Sequence, residues 1–101
     1  LLSMEDPPTA IFAGSDTQAI GVMDAAFELR IHVPNELSVV GYDGIRDAEY
    51  LGLTTVEQPL FDSGFEAVNL LISIIENNPT EVQEITMPLN LAKRNTTAPY
   101  P

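Results

Sequence analysis

The apolar positions of this chain fall into short unbroken runs that alternate with longer periodic stretches. Residues 9–14 read Thr-Ala-Ile-Phe-Ala-Gly, the near-continuous pattern of a parallel strand covered on both faces. Ser15 and Asp16 then supply N-cap chemistry for a helix over 17–30. Its apolar residues are Ala19, Ile20, Val22, Met23, Ala25, Ala26, Phe27 and Leu29. At 3.6 residues per turn they cover far more than the stripe of roughly 100° that packing on a sheet requires. The helix therefore needs a second neighbour, either another helix or a second subunit. Pro34 closes a connector that holds the single histidine, His32, read as a surface residue. Residues 37–42 form the next strand, 45–51 one or two helical turns broken by Gly52, and 53–58 a β-branched strand ended by Pro59. A second long helix spans 61–77, with Phe65, Val68, Leu71, Ile72 and Ile75 on one face, and Asn77-Asn78-Pro79 stops it. Residues 84–91 alternate polar and apolar, and Pro88 assigns that strand to a sheet edge. Residues 96–101 read as a tail. Strands and helices in this alternation predict an α/β fold, a parallel sheet with helices on both faces.

Composition narrows the function. The 101 residues are 45% hydrophobic, enough for one small folded domain. Fifteen acids face four basic residues, a net charge of −11, which argues against direct contact with nucleic acid or an anionic membrane surface. No cysteine is present, so disulfides, thiolate metal sites and cysteine nucleophiles are excluded. The longest apolar stretch, Leu70 to Ile75, is too short to span a bilayer. The start lacks a basic segment, so no signal peptide is expected, and without Met at position 1 the chain reads as a piece of something longer.

The stretch with the most chemistry is Ser38-Val39-Val40-Gly41-Tyr42-Asp43-Gly44. A strand delivers one carboxylate at its carboxyl end, where ligands bind in open parallel sheets. Asp43 is therefore the main candidate for a polar contact to a small ligand, with turn chemistry as the alternative. Catalysis is the weaker reading. Asp16 and Asp43 at two strand ends could hold a cation, but there is no phosphate loop, no Ser–His–Asp set and no lysine before Lys93. No catalytic residue, metal or cofactor is expected.

Four fragments in order carry a resemblance. They are Pro8-Thr9-Ala10-Ile11-Phe12-Ala13-Gly14-Ser15-Asp16 with Ala19-Ile20-Gly21; Val33-Pro34-Asn35-Glu36-Leu37-Ser38-Val39-Val40-Gly41-Tyr42-Asp43; Leu53-Thr54-Thr55-Val56-Glu57-Gln58-Pro59; and Gly64 with the helix after it. Together they resemble the carboxyl-terminal part of the effector-binding domain of LacI/GalR-family transcriptional regulators. The resemblance implies a type I periplasmic-binding-protein-like fold of two α/β lobes, with a sugar or nucleobase-like effector in the cleft between them. Residues 1–101 would be part of the second lobe. The DNA-binding headpiece, the first lobe and one strand–helix unit would be absent, so DNA would be met only through the missing headpiece, in the cytoplasm. Effector contacts are implied at Ser15, Asp16, Asp43 and near Leu60. Asp16 and Ser15 could equally serve as helix caps, and Leu60 could equally be core. Three positions depart from the family pattern: Ser15 replaces a frequent Asn, Gly44 replaces a second acid, and the segment before Leu53 is about two residues short. A homodimer is expected through Ile20, Met23, Asp24 and Phe27 with Tyr50 and Leu51, unless a helix of the same lobe covers that face. The expected function is an effector-sensing and dimerisation module of a repressor. The alternative is a lobe of a sugar-binding protein of an ABC transporter.

Overall fold

A computed structural model describes residues 1–100, in two units. The first runs from Leu1 to Glu57 and resumes at Asn90; the second is Gln58–Leu89. In the first unit the order is β1 (Ala10–Phe12), α1 (Asp16–Glu28), β2 (Ser38–Asp43), α2 (Arg46–Tyr50), β3 (Thr54–Glu57) and β4 (Asn90–Ala92). The sheet runs β1-β2-β3-β4, with β1, β2 and β3 parallel and β4 antiparallel to β3. It is thus a mostly parallel α/β sheet. Ile11 pairs with Val39, Val40 with Thr54, and Asp43 with Glu57.

Side chains alternate across a strand, so Ile11, Val39 and Gly41 share one face. There α1 buries Ala19 and Ala26, with Val22 and Met23 packed partly against the same cluster. The small alanines let the helix sit close to the strand. The buried core adds Ala13, Leu37, Ala48 and Leu53. Ala10 and Phe12 project to the opposite face and are exposed, so β1 is not covered on both sides as its apolar run suggested.

Helix α1 starts at the Ser15 cap and ends in a Schellman closure. Ile31 N donates to Ala26 O at 2.8 Å and Arg30 N to Phe27 O at 3.1 Å, while Arg30 takes a left-handed φ of 58°. The Val33–Pro34 peptide is cis.

The expected strand at 84–91 is shorter and later than the alternation implied. Only Asn90–Ala92 pairs, beyond Pro88, whose missing N–H cannot join a ladder. The expected tail is also more than a tail. Thr96 is buried between β2 and β3: its carbonyl accepts from Val39 N at 2.8 Å, its Oγ1 donates to Val39 O at 2.7 Å, and the same oxygen accepts from Thr54 N at 2.9 Å. Thr96 therefore stands in for a strand residue below the first β2–β3 pair.

The second unit is built on α3 (Leu60–Asn77), which ends at Asn78 in a left-handed cap. Its apolar stripe is as expected from the spacing, but none of its residues is buried. Among the described residues no helix is long and apolar enough to cross a membrane.

Candidate functional site

Because β1 and β2 are adjacent and parallel, the turns that leave them lie on one rim of the sheet. Ser15 and Asp16 follow β1, Asp43 ends β2 and Glu57 ends β3. This rim is where open parallel sheets bind ligands.

Ser15 is the helix cap. Its Oγ accepts from Gln18 N at 3.1 Å, and Gln18 Oε1 reaches back to Gly14 N at 3.1 Å. This is a close variant of the reciprocal capping box, with the return bond displaced by one residue. Ser15 stays half-buried and its hydroxyl hydrogen is not used by the cap.

Asp43 is partly exposed at the end of β2 and takes φ 129°, a region that L residues rarely enter. Holding such a conformation costs on the order of 1–3 kcal/mol, and such residues cluster at ligand clamps. Gly44 follows at φ 81°. A side chain there would meet Glu57 Cγ at 2.9 Å and its Cα at 3.0 Å, so position 44 needs glycine for space as well as for φ. Glu57 is held in turn: Oε1 lies 3.2 Å from Arg94 Nη2, Oε2 accepts from Asn90 Nδ2 at 3.0 Å, and Arg94 Nη1 donates to Leu53 O at 2.9 Å.

Asp16 corrects an expectation. It is wholly buried, and both oxygens are bonded within the fold. Oδ2 accepts from Gly44 N and Ile45 N, each at 2.8 Å, and Oδ1 accepts a short bond of 2.5 Å from Thr55 Oγ1. The direct ligand contact expected of it is absent from this arrangement, because the carboxylate is turned into the protein to meet those three donors. Gly41 makes the room: a Cβ there would collide with Asp16 Oδ1 and approach Leu53 Cδ2 at 3.1 Å. The sequence alone assigns no role to the Thr55 hydroxyl or to the gap at Gly41. A glycine inside an otherwise apolar strand was the one available sign, since it marks a close approach.

Leu60 opens α3 in the second unit and is exposed. Of the residues expected at an interface between subunits, Phe27 is 85% and Tyr50 72% exposed; Asp24 and Leu51 are exposed too. Ile20 is half-buried, and Met23 packs against the core. Arg46 lies across the Tyr50 ring at 5.5 Å and donates to its hydroxyl. No cluster of three metal-ligating side chains occurs among the described residues.

Residues 1–97 match the model of a periplasmic binding protein-like domain. The chain is 40% identical over its whole length to the HTH-type transcriptional repressor PurR of Salmonella paratyphi B, of which it covers 30%. The chain thus spans about a third of the length of the curated relatives it matches. LacI family transcriptional regulators from Enterococcus faecium and Enterococcus faecalis, both with bound ribose, superpose with TM-scores of 0.88 and 0.89 at 33% identity, over 96% of this chain and 37% of theirs. With its mostly parallel sheet and these matches, the chain belongs to the periplasmic binding protein-like domain family, in the form carried by LacI-family transcriptional regulators.

Proposed function

We propose that this chain supplies one wall of an effector site in a transcriptional repressor, and that Asp43 is its main polar contact to the effector. The observation that carries this reading is the placement of Asp43. A partly exposed acid ends a central strand at the ligand-binding rim, in a backbone conformation that L residues rarely adopt. A carboxylate accepts from neighbouring sugar hydroxyls, and the hydroxyl of Ser15 on the same rim can donate. The ribose bound to the two Enterococcus regulators supports a sugar as the ligand class.

The mechanism follows from differential binding. An effector that favours one arrangement of the sensing domain shifts the population toward it, and the shift changes the affinity of a DNA-binding headpiece elsewhere in the protein. A headpiece acting on chromosomal DNA would work in the cytoplasm. Phe27, Tyr50 and Leu51, with Ile20, Met23 and Asp24, form the surface through which two copies pair; the exposed aromatic rings support that choice. Calorimetry with ribose on the full-length protein tests the site: wild type binds, and Asp43→Ala loses most of the affinity.

A further inference from the structure

We propose that Asp16, which does not face the ligand rim, is a positioning residue that sets the backbone of the loop carrying Asp43. The proposal rests on the reading of Asp43 as the effector contact, because it says what holds that contact in place.

Three segments converge on one carboxylate. Asp16 is the first residue of α1 and follows the Ser15 cap. Gly44 and Ile45 leave β2 immediately after Asp43, 28 and 29 residues further along the chain, and both of their amides point at Asp16 Oδ2. Thr55 on β3 reaches Oδ1. An acid that served only the helix dipole would sit at the surface and would not need amides from another segment. Here the side chain is wholly buried, and among the described residues every buried side-chain oxygen and nitrogen has a partner. The two amides donate from the turn that directly follows Asp43, whose φ of 129° L residues rarely adopt. The strand opposite is bare at Gly41, so the carboxylate can reach across it.

The chemistry distinguishes replacements. An ionised aspartate only accepts, which suits three donors. Asparagine can keep its oxygen on the two amides and turn its NH2 to Thr55 Oγ1, which can accept and has Val56 O as an outlet at 3.5 Å. Alanine leaves both amides without an acceptor.

The test is amide hydrogen exchange in the full-length protein without sugar, beside ribose calorimetry. In Asp16→Ala, exchange at Gly44 and Ile45 should rise at least tenfold more than at Ala13 and Val39, whose amides report the sheet through bonds to Val40 O and Thr96 O. In Asp16→Asn the rise should stay under threefold, with the ribose Kd within threefold of wild type, whereas Asp16→Ala weakens ribose at least tenfold. Equal changes at loop and sheet amides in Asp16→Ala would reduce Asp16 to general stability and overturn the proposal. If Asp16→Ala does not fold, Asp16→Ser takes its place in the same comparison: a rise at Gly44 and Ile45 at least tenfold above that at Ala13 and Val39 supports the proposal, and equal changes overturn it. If Asp43→Ala keeps full ribose affinity, the reading of Asp43 fails, while the exchange arm still reports what Asp16 does to the loop.

Discussion

Asp43 ends β2 and Asp16 opens α1 just beyond β1, and the fold uses the two acids in opposite ways. Asp16 is enclosed and spends its lone pairs on Gly44, Ile45 and Thr55; Asp43 is half-open on the rim. Local sequence could not separate the two, because the donors that enclose Asp16 lie 28 to 39 residues away. Asp43 was legible, since an apolar run ending in an acid and a glycine shows where the strand meets solvent. Gly44 shows why this chain lacks a second acid after Asp43. Its φ is 81° and Glu57 fills the space where a side chain would go. Gly44→Ala should therefore destabilise the protein by about 1–3 kcal/mol in chemical denaturation. A stability equal to or above wild type, as follows Gly→Ala at permissive sites, would contradict the assigned conformation.

At the scale of elements, β2, β3 and both long helices were readable from runs, periodicity and breakers. What failed was anything that depends on distant partners. β4 begins only beyond Pro88, and Thr96 became a buried rung between β2 and β3 although its surroundings look like a polar tail. The connector between α1 and β2 is organised by Glu36. Its Oε2 accepts from His32 N at 2.8 Å and lies 2.6 Å from His32 Nδ1, while Glu36 N donates to His32 O at 2.7 Å. The His32 backbone amide, and after it the imidazole, hold Glu36 below its ordinary pKa of 4.5. A carboxylate lowered by folding adds stability above its unfolded value, and that stability fades as pH falls through the folded one. In an NMR titration of His32→Ala, Glu36 should still titrate below 4.5, because the amide donor persists. A return to the ordinary value would assign the effect to the ring alone.

The whole molecule has a small core for its apolar content. Among the described residues seven apolar ones are buried, four of them alanine, in a chain that is 45% hydrophobic, and large side chains such as Phe27 and Tyr50 remain exposed. The proposed pairing surface rests on these exposed rings. In sedimentation equilibrium the full-length protein should be a dimer, with Phe27→Glu shifted toward monomer; a wild-type protein that stays monomeric at high concentration would contradict the pairing surface. The central claim concerns one carboxylate, and ribose calorimetry on wild type and Asp43→Ala tests it most directly. A hydrogen bond to a charged group contributes about 1.5–3 kcal/mol, so the variant should bind roughly 10- to 150-fold more weakly. An unchanged affinity in a folded Asp43→Ala protein would contradict the account.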